Sequence, residues 1–168
     1  MKKDSVACAV ITVSDTRTKE TDKSGMQIME LLREEGHHVH TYEIVSDDIK
    51  QIKNIVTLAV RDENIEAVLI SGGTGIAERD VTIEAVEPLY DKLVPGFGEL
   101  FRMLSFQLDI GSKAILSRAS CGVANRRIVF CLPGSTGAVR LAMEKLILPE
   151  LLHFITELQK DIKNGSSL

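Results

Sequence analysis

The chain has 168 residues, 44% hydrophobic and 26% charged, with 24 acidic against 20 basic side chains and a formal net charge of −4. That length and balance suit one soluble core that buries roughly 70% of the unfolded surface. The acidic balance, with no run of Lys and Arg interleaved with aromatics, excludes the electrostatic footprint of a nucleic-acid binder, so any phosphate ligand must be held by local geometry.

At the N-terminus, Val6–Val13 offers only about eight apolar residues before Ser14-Asp15, too few for a signal core with its cleavage site or for a membrane span. A cytoplasmic chain with no membrane partner is expected. Cys8, Cys121 and Cys131 are odd in number, lack CxxC spacing and lie in apolar segments, which reads as reduced core thiols.

Val6–Val13 reads as a buried strand, Gly25–Glu35 as an amphipathic helix closed by Gly36, and His38–Val45 as an alternating strand. Asp47 or Asp48 can cap the next helix, which carries Ile49, Ile52, Ile55, Val56, Ala59 and Val60 on one stripe. Ala67–Ile70 is the following strand. Short apolar strands alternating with helices imply a sheet covered on both faces, with ligands bound beyond the carboxyl ends of the strands.

The loop at 71–80 lies at such an end. Gly72, Gly73 and Gly75 can take positive φ and bring backbone N–H groups close to an anion, while Asp80 is placed to hold a cation against it. No Gly-Lys-Ser/Thr follows, which excludes the Walker loop, and Glu78 stands where a dinucleotide loop has Gly or Ala. Thr82 can cap a short helix with Glu84 in its first turn. Pro95-Gly96-Phe97-Gly98 breaks the chain before a helix that runs to about Asp109 and is closed by Gly111.

Ala114–Ala119 and Arg127–Leu132 look like strands joined by a turn at Ala124-Asn125-Arg126, so part of the sheet should be antiparallel. Leu132–Gly137 then joins a strand to a long helix, where Ser135 can cap and the first N–H groups form a second anion site beside Gly134. That helix runs from Ala138 to about Lys160, with Pro149 kinking or dividing it. It is apolar at more positions than one inward stripe needs, which suits a subunit contact. The fold class is therefore α/β, a three-layer α/β/α sandwich with a mostly parallel, mixed sheet. Residues 1–162 form one domain and 163–168 a polar tail that frays.

Ser14-Asp15, Ser71-Gly-Gly-Thr-Gly75 with Arg79-Asp80-Val81-Thr82, Pro95-Gly-Phe-Gly-Glu-Leu-Phe-Arg102, Leu116-Ser-Arg-Ala119 and Leu132-Pro-Gly-Ser135 follow one another along nearly the whole chain. In this order and spacing they resemble the molybdopterin adenylyltransferase family of molybdenum cofactor biosynthesis, the MogA/MoaB type. Thr136 and Ile83, where proline often stands in the family, resemble the MoaB branch.

The resemblance implies a molybdenum-cofactor-biosynthesis-protein-like fold. It implies a reaction in which the terminal phosphate of molybdopterin attacks the α-phosphate of ATP, giving adenylyl-molybdopterin and pyrophosphate. It also implies a homo-oligomer, trimer or hexamer, and the pathway's metal-insertion enzyme as a further partner. The family's two acids fall on Asp47 and Asp80, with Asp48 the fallback for the first.

Chemistry gives an independent reason for acids, because a hard divalent cation held by carboxylates can bridge two polyanionic substrates, and Mg²⁺ is the natural candidate. One helix N-terminus contributes about 0.3–2 kcal/mol, whereas micromolar binding needs about 8 kcal/mol. Several loops must therefore cooperate: Ser71, Gly72, Gly73, Thr74 and Gly75 in one phosphate-binding segment, Gly134 and Ser135 in another. Arg79, Arg102, Arg118, Glu99 and the histidines are left outside the site, His153 as a satisfied residue facing core or interface. The alternative from another class is a molybdopterin carrier of the same pathway that adenylylates nothing.

Overall fold

The computed structural model of the chain describes residues 4–164. The first strand β1 (Ala7–Val13) is followed by α1 (Lys23–Glu34), β2 (His38–Val45), α2 (Ile49–Arg61) and β3 (Ala67–Ser71). Next come a short α3 (Thr82–Val86), β4 (Lys92–Leu93), α4 (Pro95–Leu108), the hairpin β5 (Ser120–Ala124) and β6 (Arg127–Leu132), then α5 (Thr136–Ala142) and α6 (Leu148–Asn164). The six strands form one sheet in the order β2-β1-β3-β6-β5-β4. The first three pairings are parallel and the β6-β5 and β5-β4 pairings antiparallel.

Strand alternation divides the apolar side chains into two cores. Cys8, Val10, Leu69, Ile128 and Phe130 pack with α1, α4, α5 and α6 on one face. Ala9, Ile11, Val68, Ile70 and Val129 pack with α2 and α3 on the other. This is the three-layer α/β/α sandwich with a mixed sheet that the sequence implies. Because the β1–β2 connection lies on one side of β1 and β3 is added on its other side, the topological switch falls between β1 and β3.

Several local expectations are corrected. Asp22 caps α1 two residues earlier than expected, accepting from Gly25 N–H at 3.0 Å. Pro95 does not precede a break: it sits in the first turn of α4, where its missing N–H costs nothing and its φ is preset. The segment 114–119 is not a strand. A 3₁₀ turn occupies Gly111–Leu116, and the strand starts at Ser120. The hairpin then turns on Asn125 and Arg126 alone, both at positive φ, the pairing that a two-residue turn with strand-matching twist requires.

The long C-terminal helix is divided, as Pro149 suggested. A π turn at Met143–Ile147 precedes it, with Leu148 N–H bonded to Met143 O. The last segment reaches Asn164, beyond Lys160, and residues 165–168 of the expected tail lie outside those described. His153 does not face the core: it stands in solvent between Glu150 and Glu157.

Nor is surplus apolar surface concentrated on the last helix. It lies on α4 and the turn after it, at Leu100, Met103, Phe106 and Leu108, then Ile110, Ile115 and Leu116, with Ile115 84% exposed. The thiols are free and buried. No helix among the described residues is long and apolar enough to cross a membrane.

Candidate functional site

A cleft of about 450 Å³ opens beyond the carboxyl ends of all four parallel strands. Val13 and Ser14 border it after β1, Asp47 after β2, Gly72–Gly75 with Asp80 after β3, and Pro133–Ser135 after β6. Phe101, Ile110 and Leu116 form its apolar side. The volume falls within the usual range of small-molecule sites.

The glycine loop is shaped by close approach. Gly72 has φ +98°, and a Cβ there would lie 2.3 Å from the backbone oxygen of Val13. Gly73 has φ +68°, and a Cβ there would lie 2.2 Å from Thr82 Oγ1. Thr82 is the first residue of α3 rather than its cap. Its hydroxyl donates to Gly72 O at 2.7 Å and its N–H to Gly73 O at 3.0 Å.

Arg118 holds the far side of the same loop: its backbone N–H donates to Thr74 O, Nε to Gly75 O at 2.9 Å and Nη2 to Asp80 O at 3.0 Å. Glu84 pairs with its guanidinium. An arginine that the sequence reading left outside the site is thus a brace for three backbone carbonyls.

The two glycine segments are one floor. A Cβ at Gly134 would come within 3.3 Å of Gly72 Cα, so the loops after β3 and β6 touch. Gly72 itself donates its N–H to Leu132 O at 2.9 Å, which leaves anion contacts to later residues of the loop. Ser71 does not wall the cleft. It is buried in the sheet with Oγ 3.5 Å from Thr12 Oγ1, because the alternation of β3 turns it inward. Ser135 caps α5, accepting from Ala138 N–H at 3.3 Å, and lies at the cleft edge.

Asp47 and Asp80 both reach the cleft. Asp48 is the cap of α2, accepting from Gln51 N–H at 2.9 Å, and this releases Asp47 from capping. Asp47 instead exchanges reciprocal bonds with Asp15: Asp47 N–H donates to Asp15 Oδ1 at 2.9 Å and Asp15 N–H to Asp47 Oδ2 at 3.2 Å. Burial pushes the Asp47 carboxyl above the ordinary aspartate value, the negative charges of Asp15 and Asp80 add to the rise, and the Asp15 N–H and Arg79 oppose it. Asp80 Oδ2 accepts from Ala77 N–H at 2.9 Å, which fixes the carboxylate at the end of the loop.

The sequence reading missed Arg17, Asp109 and Lys113, and set aside Arg79, yet all four line the cleft. Asp109 caps the end of α4 and Lys113 lies in the 3₁₀ turn after it, where no period in the sequence reveals which way a side chain faces. Arg17 lies in an irregular loop with no periodicity to reveal its direction. Glu99 and Arg102 stand away from the cleft, around a smaller depression beside Ser120.

No group of three or more His, Cys, Asp or Glu side chains is placed to hold a metal among the described residues. A preformed carboxylate cage is therefore not the arrangement. Two aspartates lining an open cleft fit Mg²⁺, which is ordinarily held by one or two carboxylates, waters and substrate phosphates.

Residues 9–153 match the family described as "Probable molybdopterin binding domain". A Bacillus subtilis (strain 168) protein named molybdenum cofactor biosynthesis protein B is 58% identical over 158 residues, spanning 94% of this chain and 93% of that protein. A crystal structure of a molybdenum cofactor biosynthesis protein B superposes with a TM-score of 0.92 at 57% identity, over 95% of this chain and 99% of its own. The structure titled tungsten cofactor synthesizing protein MoaB from Pyrococcus furiosus follows at a TM-score of 0.82 and 37% identity, over 94% and 99%. With residues 9–153 matched by the family and relatives of 57–58% identity spanning nearly the whole chain, the chain belongs to the molybdenum-cofactor-biosynthesis family described as "Probable molybdopterin binding domain".

Proposed function

We propose that this protein acts in molybdenum cofactor biosynthesis as a molybdopterin adenylyltransferase, joining the terminal phosphate of molybdopterin to the α-phosphate of ATP and releasing pyrophosphate. The observation that carries the reading is the convergence of Asp47 and Asp80 with the glycine loops 72–75 and 134–135 in a single cleft.

The transferring phosphoryl group needs positioning and charge neutralisation more than a protein nucleophile. The loop residues Gly73, Thr74 and Gly75 offer backbone close approach on one side, and Gly134 with the start of α5 on the other. Asp47 and Asp80 are the residues that would hold Mg²⁺, which when bound neutralises phosphate charge and orients the reacting oxygens. Asp15 keeps Asp47 turned to the cleft through their paired bonds. The braces from Thr82 and Arg118 hold the loop so that little reorganisation is needed when substrates arrive. Phe101, Ile110 and Leu116 give an apolar shelf for a planar ring.

The proposal includes a homo-oligomer, trimer or hexamer, whose contact is the exposed apolar face of α4 and the turn after it. Ile110 and Leu116 belong to both that face and the cleft wall, so assembly would border the site. A cytoplasmic location and hand-over of product to a metal-inserting enzyme complete the reading.

A magnesium titration of turnover tests it. Asp47→Asn and Asp80→Asn should each lower kcat on the order of 100-fold, the scale of a lost metal or charge-stabilising group. Unchanged turnover and magnesium dependence in Asp80→Asn would defeat the metal assignment. Tight molybdopterin binding by a wild-type protein that makes no product would establish the carrier reading instead.

A further inference from the structure

Among the described residues one carboxylate is fully buried, that of the α1 cap Asp22. Asp22 is 0% exposed, although α1 could be capped by any short polar side chain. Withdrawing a charge from water costs several kcal/mol unless it is fully partnered, and here the partnering is extensive. Oδ2 accepts from Thr12 Oγ1 at 2.6 Å and from the Tyr42 hydroxyl. Oδ1 accepts from Gly25 N–H at 3.0 Å and Ser24 Oγ at 3.4 Å, and lies 3.6 Å from Arg17 Nη1. Space is made for it by Gly25, where a Cβ would lie 2.1 Å from Asp22 Oδ2. Capping explains the Gly25 bond, but it does not explain why β1 and β2 each send a hydroxyl to the same oxygen.

The beneficiary is Arg17. Its backbone N–H donates to Ser14 Oγ at 3.1 Å, which fixes the base of the side chain. Nη1 donates to Ser24 Oγ at 2.5 Å and Nη2 to Gly134 O at 3.1 Å. The guanidinium is thereby held on the cleft wall against Gly134, the residue at which the two glycine loops meet. A guanidinium carries five N–H donors, more than these two bonds use, in a planar fork that matches a phosphate.

We infer that Arg17 is the cleft's pre-aimed phosphate-binding cation, and that Asp22, with Tyr42 and Thr12 behind it, is the positioning residue that sets its direction. The inference deepens the phosphate-transfer reading of this cleft and rests on it for the ligand class, a phosphate monoester or a polyphosphate. Fixing the side chain beforehand removes part of the rotamer entropy that a free surface arginine loses on binding.

The test is calorimetric titration of the full-length protein, without metal, using inorganic pyrophosphate in one arm and glycerol phosphate in the other. Arg17→Met should weaken the bound anion about 10-fold or more, and Arg17→Lys should restore only part of it, since an ammonium lacks the fork. Tyr42→Phe leaves the cleft wall untouched and removes one hydroxyl behind Asp22. It should weaken the same anion about 3-fold and, in turnover, raise KM with kcat nearly kept, a split that a purely structural role would not give.

The arm that responds to Arg17 names the source, nucleotide polyphosphate or pterin monoester. Wild-type-like affinity in Arg17→Met, or no binding of either anion by the wild type, would overturn the inference. Arg17-dependent binding with no adenylylated product would leave it standing while defeating the adenylyltransferase reading.

Discussion

Replacing Gly72 by alanine tests whether the glycine loop is dictated by close packing. The added Cβ would lie 2.3 Å from the carbonyl oxygen of Val13, about an ångström inside ordinary contact, and that oxygen is backbone that cannot rotate away. Positive φ costs a non-glycine residue about 1–2 kcal/mol, and forcing the strand end aside adds about 1–3 kcal/mol. For a chain of this size each kcal/mol lowers Tm by roughly 2–4 °C, so Gly72→Ala should melt about 5–20 °C below wild type by calorimetry. Gly96→Ala is the control: no atom lies within 4 Å of its Cβ, it sits in the first turn of α4, and it should be neutral or slightly stabilising. A Gly72→Ala protein melting within about 2 °C of wild type would refute the reasoning.

The buried Asp22 gives a pH prediction. Burial alone would raise its carboxyl, but bonds from Thr12, Tyr42 and Gly25, with Arg17, outweigh it and hold the group below the ordinary aspartate value. A depressed carboxylate stabilises above the unfolded value and loses that contribution as pH falls through the folded one, so Asp22→Asn should cost about 2–4 kcal/mol at neutral pH and little in strong acid. Asp47 has the opposite sign: its raised value means its charge opposes folding once ionised, so Asp47→Asn should keep or raise Tm at neutral pH while turnover is lost. Burial pushes the thiols of Cys8 and Cys131 up to about 12, and that of Cys121 higher still; none should react with a disulfide reagent at mildly alkaline pH until the protein is unfolded. Ile115→Asp together with Phe106→Asp should reduce the mass seen by light scattering if the α4 face joins copies, and an unchanged oligomer would place the contact elsewhere.

Regular periodicity explains what the sequence made legible. The apolar runs at Val6–Val13 and Ala67–Ile70 and the stripe of α2 carry their own period, and the order of strands and helices sufficed for a three-layer sheet. The segment 114–119 misled because Ala-Ile-Leu is apolar without being extended. The packing of Ala114 and the bond from Arg118 N–H to Thr74 O turn it into a coil that closes the cleft.

The glycine loop and the two acids were visible because few residue types can stand there. Which of Asp47 and Asp48 caps α2 was not, since either could; the bond from Gln51 N–H to Asp48 and the pairing of Asp47 with Asp15 separate them. Arg17 and Arg118 were equally opaque. An arginine's function depends on which backbone carbonyls lie within reach of its fork, and the one that fixes Arg17 against the glycine loops is 117 residues away along the chain, while those held by Arg118 are 43 and 38 away.

The most direct test of the central claim is the mass of the pterin after purified protein is incubated with molybdopterin, ATP and Mg²⁺, with pyrophosphate followed in parallel. The account predicts adenylyl-molybdopterin and equimolar pyrophosphate from the wild type and almost none from Asp80→Asn. Unmodified molybdopterin bound to folded wild-type protein, with no pyrophosphate released, would contradict it.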